Sequence, residues 1–220
     1  MTISNFYESG PKNSDDVQSL VVMLHGVGSN GQDLISLAPM LSAYVPGTMF
    51  ISPDAPFVCD MVPPGYPNAY QWFSLQNRDP HVMLEGVKSV SSLVEEFLES
   101  QLERYKLSAD KLALLGFSQG TMTSLYVAPR LNNKIAGVLG YSGALLWDEA
   151  TDANAMHKMP INLIHGEADD VVPVEAYHTG RAKLEEVGFD VSGHTTPHLP
   201  HSLDQQGIDA GGAFLKKILS

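Results

Sequence analysis

Lys111-Leu112-Ala113-Leu114-Leu115-Gly116-Phe117-Ser118-Gln119-Gly120-Thr121 runs from a short apolar stretch, through a serine between two glycines, into a segment of helical character. The apolar run suits a buried parallel strand. Gln119 to Leu131 suits a helix. G-x-S-x-G between the two requires a turn so sharp that the serine hydroxyl is pushed outward, and glycine permits the backbone to turn that tightly. The bare pattern arises by chance in roughly one chain in fifteen of this length, so its weight comes from the strand before it and the helix after it. A second serine, Ser142 in Gly140-Tyr141-Ser142-Gly143-Ala144, has Ala144 in place of the second glycine. It reads as part of a structural loop after another strand.

Outward from this turn, short apolar runs alternate with longer amphipathic ones. Leu20 to Leu24, Thr48 to Ser52, Lys111 to Gly116, Ile135 to Tyr141, Ile161 to Ile164 and Phe189 to Gly193 read as strands. Gly31 to Tyr44, Val82 to Tyr105, Gln119 to Leu131, Val174 to Val187 and Leu203 to Leu219 read as helices. In the second helix Val87, Val90, Leu93, Val94, Phe97, Leu98 and Leu102 recur at steps of three and four, and Lys88, Glu95, Glu96, Glu99 and Glu103 take the other side. Strands alternating with helices predict one α/β domain over residues 1–220, with a mostly parallel sheet covered by helices on both faces. Its site is expected beyond the carboxyl ends of the strands. Pro53 to Pro80 breaks the rhythm with prolines, glycines and aromatics. A loop this long in a compact domain is usually functional or disordered, and its aromatics argue against disorder. It is expected to cover the site.

At 220 residues the chain fits a single domain, and 44% apolar with 17% charged residues is ordinary soluble composition. A formal net charge of −12 argues against nucleic acid and anionic membrane surfaces as default partners. Cys59 stands alone, so no internal disulfide is possible. The polar first sixteen residues do not resemble a secretory signal, and no apolar run has the length of a membrane span. A cytoplasmic protein without stable membrane anchoring is expected.

A serine hydroxyl needs a base to take its proton, and the base needs a partner to orient it. In α/β-hydrolases these follow the serine in the order acid, then histidine. After the strand Ile161 to Ile164 comes His165-Gly166-Glu167-Ala168-Asp169-Asp170-Val171-Val172-Pro173. Asp169 is the first choice for the acid, ahead of Asp170 and Glu167. Of the later histidines, His178 falls inside a helix and His194 ends a strand, while His198 and His201 lie in a loop. His201, just before the last helix, is the expected base. His194, His198 and His201 could also suggest zinc, but Pro197 and Pro200 keep them off one helical face, and no metal is expected. Two backbone N–H groups must face the developing oxyanion. Gln119, next after the serine, supplies one. Val27, in His25-Gly26-Val27-Gly28 after the first strand, supplies the other, with His25 orienting that loop. A phosphate loop is excluded there, because neither G-x-x-x-x-G-K-[ST] nor a full G-x-G-x-x-G is present. Phe57, Trp72, Phe73, Leu145, Leu146 and Val172 are candidate acyl-pocket walls, with core packing the equal alternative.

Leu24-His25-Gly26-Val27-Gly28, Gly116-Phe117-Ser118-Gln119-Gly120, His165-Gly166-Glu167-Ala168-Asp169 with Val172-Pro173, and His201-Ser202 together resemble the phospholipase/carboxylesterase family. Pro53-Asp54-Ala55-Pro56 and Ser142-Gly143 are similar to it as well. The resemblance implies Ser118 as nucleophile, Asp169 as acid, His201 as base and Val27 and Gln119 as oxyanion donors. It implies no cofactor, a small-molecule ester substrate and frequent homodimers. The wording from Cys59-Asp60 to Trp72-Phe73 looks closer to bacterial esterases than to the thioesterase members. The reading is therefore a serine carboxylesterase. An acyl thioesterase or lysophospholipase on the same triad is the alternative, and a non-catalytic binding protein on the same fold is the reading from another class.

Overall fold

The computed structural model describes residues 2–63, 65–148 and 153–220. Pro64, inside the 53–80 segment, lies outside the described residues. The chain orders itself as β1 (Phe6–Ser9), β2 (Ser19–Leu24), α1 (Gly31–Ile35), α2 (Ala38–Ser42), β3 (Thr48–Pro53), β4 (Phe57–Val58) and β5 (Tyr70–Gln71). Then come α3 (Pro80–Tyr105), β6 (Leu112–Phe117), α4 (Gln119–Val127), β7 (Gly137–Tyr141), β8 (Ile161–Gly166), α5 (Glu175–Glu186), β9 (Val191–Thr196) and α6 (Gln205–Leu219). Seven strands form one sheet in the order β1-β3-β2-β6-β7-β8-β9. All neighbours pair in parallel except β1 on β3.

The central strands are apolar on both faces because both faces are covered. Leu20, Val22, Leu24, Leu112 and Leu114 enter a core shared with α3, α4 and α5. Val21, Met23, Ala113 and Leu115 enter the opposite core with α1, α2 and α6. This alternation inside a continuous apolar run is the mark of a parallel sheet buried on both sides. The order reverses at β2: the chain moves outward to β3, then crosses back over β2 to β6. At such a switch point the loops after two adjacent strands diverge and leave a crevice. Here those are the loop at His25 and the turn at Ser118.

Three expectations are corrected. Gly31 to Tyr44 is two short helices, because Pro39 in the first turn of α2 cannot continue the preceding helix. The sheet has a strand absent from the sequence reading, β1, an antiparallel edge of four residues placing Phe6 opposite Pro53 and Ser9 opposite Phe50. The last strand begins at Val191 rather than Phe189 and runs to Thr196, so His194 lies within it. The helix ends follow local capping chemistry. Asp79 accepts hydrogen bonds from the His81 and Val82 N–H groups at 2.9 and 3.4 Å, with Pro80 opening α3.

Candidate active site

Ser118 sits between β6 and α4 with φ 53° and ψ −115°, a backbone region that a residue with a side chain rarely occupies. Three features hold it there. Its N–H donates to Tyr141 O at 2.9 Å, and its carbonyl accepts from the Thr121 and Met122 N–H groups at 3.0 and 3.2 Å. A Cβ on Gly116 would stand 2.4 Å from Thr121 N, and one on Gly120 only 1.7 Å from Leu24 O. Both glycines are thus required, because β6, α4 and the end of β2 touch backbone to backbone around the serine. Such local strain persists where the surroundings over-determine it, and it concentrates at functional sites.

The loop after β2 lies against this turn. A Cβ on Gly26 would be 3.3 Å from the Ser118 Cβ, which places Val27 beside the serine. Among the described residues the N–H groups of Val27 and Gln119 have no hydrogen-bond acceptor. Two free donors flanking one hydroxyl are what an acyl-transfer oxyanion needs. Their loop is held by buried partners. His25 Nδ1 bonds Gly26 O at 2.7 Å, and its Nε2 accepts from the Ala55 N–H at 3.0 Å. The proton is therefore on Nδ1. Burial pushes the His25 pKa down and keeps the ring neutral, as this arrangement requires.

The 53–80 segment is more ordered than a loop. β4 and β5 pair as a small antiparallel ladder, and the Gly28 and Tyr70 N–H groups donate to Tyr70 O and Ser29 O at 2.8 and 2.9 Å. Trp72 Nε1 donates to His25 O at 2.9 Å. The Gln119 amide accepts from Trp72 N at 2.9 Å and donates to Phe73 O at 2.7 Å. Trp72 and Phe73 are consequently buried, at 0% and 3% exposure. They pack behind the loop at His25, which takes the core-packing alternative for them over the acyl-pocket wall. Leu146 also lies in the core, and Val172 is buried with its backbone turned to Asp169. Phe57 and Leu145 remain partly exposed. Leu145 lines a groove of about 530 Å³ with Ala144, Trp147, Ala176 and Thr179.

Asp169 and His201 meet. His201 Nδ1 donates to Asp169 Oδ2 at 2.7 Å, across 32 positions of sequence. Asp169 Oδ1 accepts the Val171 and Val172 N–H groups at 2.9 and 2.8 Å. Burial alone would raise the carboxyl's pKa, but the bonds from His201, Val172 and Val171 outweigh it and hold it below its usual range. The two loops brace each other, with Glu167 and Ala168 N–H donating to Thr196 O and Leu199 O at 2.9 and 3.0 Å. The His201 ring lies 4.9 Å from that of Phe117, the residue before Ser118, so its loop reaches the turn. No hydrogen bond joins His201 to Ser118 Oγ among the described residues. In unliganded sites this contact is often long, and it tightens with substrate.

The competing assignments separate clearly. Asp170 is exposed, and Glu167 accepts from Thr195 Oγ1 at 2.7 Å, away from the serine. His198 is exposed and His194 lies on β9. Among the described residues no group of three His, Cys, Asp or Glu side chains is placed to hold a metal ion. One residue had no role in the sequence reading. His165, buried at the end of β8, brings Nε2 to 2.8 Å from Val172 O and 3.3 Å from Asp169 Oδ2. Its only signal in the sequence was its position, four residues before the acid.

A mostly parallel sheet with a strained serine at the end of a central strand, and an acid–histidine pair at the ends of later ones, defines an α/β-hydrolase. The profile of the Phospholipase/Carboxylesterase family matches residues 11–219, and the chain belongs to that family. It is a hydrolase of carboxylic esters of the serine type. Among curated relatives, Acyl-protein thioesterase 1 of Gibberella zeae is 28% identical over 215 residues, covering 90% of each chain. Among solved structures, esterase PE8 superposes with a TM-score of 0.85 at 36% identity, covering 92% of this chain and 94% of that one. Zea mays acyl-protein thioesterase 2 gives a TM-score of 0.79 at 26% identity, covering 98% and 99%. Among the described residues no helix is long and apolar enough to cross a membrane.

Proposed function

We propose that Ser118 is the nucleophile, His201 the general base and Asp169 the group that orients His201, in a carboxylesterase acting through an acyl-enzyme. The observation that carries this is the 2.7 Å bond from His201 Nδ1 to a buried, charged Asp169, on a loop reaching the turn of Ser118. With its proton on Nδ1, His201 offers a bare Nε2 to the serine. As Ser118 Oγ attacks the ester carbonyl, His201 takes its proton and becomes a cation beside Asp169. The carbonyl oxygen gathers negative charge between the Val27 and Gln119 N–H groups. His201 then returns the proton to the leaving alcohol, and water repeats the cycle on the acyl-enzyme.

The apolar part of the ester is assigned to the groove lined by Leu145. A small or medium acyl group suits this groove, and no cofactor enters the cycle. A second reading, hydrolysis of long-chain acyl thioesters, is favoured by the 28% identity to a protein named as an acyl-protein thioesterase. We further propose that the enzyme works in the cytoplasm and as a homodimer, the latter to be read by light scattering. A fluorophosphonate probe tests the chemistry: it labels the wild type at Ser118 and leaves Ser118→Ala unlabelled. Wild type unlabelled under native conditions overturns the reading. Initial rates on a series of acyl esters and thioesters then decide between the substrates, and a steep rise toward long acyl chains excludes the small-ester reading.

A further inference from the structure

Ser142 follows β7 as Ser118 follows β6, and it too holds a positive φ, 48°. Its side chain is 1% exposed, and its Oγ has no hydrogen-bond partner among the described residues. A buried hydroxyl left so costs free energy, and a group of this kind calls for a partner. Ser142 lines a small, partly open cavity with Thr121, Gly143, His165 and Tyr177, with apolar walls that include Leu163 and Ala176. The space is about that of one water molecule.

The polar demand on this cavity can be counted. Thr121 Oγ1 is engaged twice, donating to Tyr141 O at 2.8 Å and accepting from Tyr141 N at 3.0 Å. Tyr177 Oη accepts from Arg181 at 3.0 Å and keeps an O–H to donate. His165 remains. Its Nε2 faces two acceptors, Val172 O and the Asp169 carboxylate, so Nε2 carries the proton. The neutral ring then has a bare acceptor at Nδ1, which has no donor among the described residues. Ser142, with its unpartnered hydroxyl, and His165 thus line one cavity the size of a water.

We infer that the cavity binds one water molecule, which accepts from Ser142 Oγ and donates to His165 Nδ1, and that Ser142 is thereby a positioning residue for the acid of the triad. The water holds His165 in the Nε2–H form. His165 in turn fixes the Val172 carbonyl and the Asp169 carboxylate on which His201 turns. This rests on the triad reading above only for its effect on rate.

The test begins on unreacted protein. A high-resolution crystal structure is expected to show a water within hydrogen-bond distance of Ser142 Oγ and His165 Nδ1. Nitrogen-15 NMR is expected to show His165 with a bare Nδ1 and a protonated Nε2. A dry cavity, or a proton on Nδ1, overturns the inference whatever the enzyme hydrolyses. In kinetics, Ser142→Ala is expected to lower kcat about five-fold at unchanged KM, the size of one net hydrogen bond. Leu163→Phe, which fills the cavity from an apolar wall that is not part of the acyl groove, should do the same. Wild-type kcat in both variants also overturns it. Should either variant fail to fold, the wild-type water and tautomer still decide. Fluorophosphonate labelling of Ser118 separately reports whether the triad reading has failed.

Discussion

Ser118 and Ser142 occupy neighbouring strand ends with nearly the same φ. Each has a positive φ, 53° and 48°, and each N–H donates at 2.9 Å to a carbonyl of the next strand, Tyr141 O at the end of β7 and Ile164 O within β8. The difference lies in what surrounds the hydroxyl. Around Ser118 a helix begins, so the Gln119 N–H has no acceptor, and the Val27 loop presents another free donor. Around Ser142 no helix begins, and Gly143 packs so tightly that a Cβ there would meet Thr121 Cβ at 2.4 Å. A strained serine after a parallel strand is therefore a frame that this fold uses twice. Two donors without acceptors, and His201 stacked on the neighbouring Phe117, are what support the proposal that the first frame is the reaction site.

The most forceful way to break this comparison is to remove each hydroxyl in turn. Ser118→Ala is expected to lower kcat by about a million-fold, the scale found when a triad nucleophile is removed. Ser142→Ala is expected to stay within about one order of magnitude, as a single hydrogen bond implies. Ester hydrolysis measured on both variants would reverse the assignment if the larger loss followed Ser142.

The next effect in size concerns His201, proposed as the base for the first serine. Asp169→Asn keeps the shape of the side chain but removes the charge that the His201 cation needs. A loss of about ten-thousand-fold in kcat is expected, because an amide also favours the wrong ring tautomer. Circular dichroism should show the fold retained. Near-normal rates would mean that another carboxylate, Asp170 or Glu167, orients the base.

A third contrast is steric. Gly120→Ala would press a methyl into Leu24 O, backbone against backbone, and is expected to cost on the order of 4 kcal/mol of stability. Denaturant unfolding measures this. Ala144→Gly restores the second glycine of the pattern at Ser142, yet in a Ser118→Ala background it should recover no activity, since no donor pair or base is supplied there.

These contrasts mark how far the sequence could be read. The turn at Ser118 was legible because its determinants are local: an apolar strand, two glycines and a helix start within about fifteen residues. The order of acid and histidine along the chain did the same for the Asp169–His201 hydrogen bond. Trp72 and Phe73 were not legible, because an aromatic in a loop carries no sign of whether it turns to a ligand or to the core. What buries them is the Gln119 amide, 46 and 47 positions away. β1 escaped because four mixed residues at a sheet edge carry no periodicity. The Ser142–His165 pairing escaped because it depends on three-dimensional closeness, and neither residue stands in a pattern of its own.

The smallest effect expected is on stability, and it too sets the two regions side by side. Each positive-φ serine has a buried neutral histidine near it, His25 bonded to the Gly26 loop and His165 beside Asp169. Burial lowers the pKa of both below the ordinary 6.5. The unfolded chain therefore binds protons that the folded chain refuses. Their contribution is fully present above pH 6.5 and is lost as pH falls from there toward their folded values. Asp169, held below its ordinary 3.8, keeps its contribution until the pH falls under that value, so it acts in a separate, more acidic window. The melting temperature is thus expected to be level near pH 7 to 8 and to decline from about pH 6.5 downward. The slope approaches about 1.4 kcal/mol per pH unit for each histidine proton taken up on unfolding. Replacing either histidine by Gln should flatten this decline. If only His25→Gln flattens it, then His165 is protonated in the fold, and Ser142 would face a cation instead of a neutral ring.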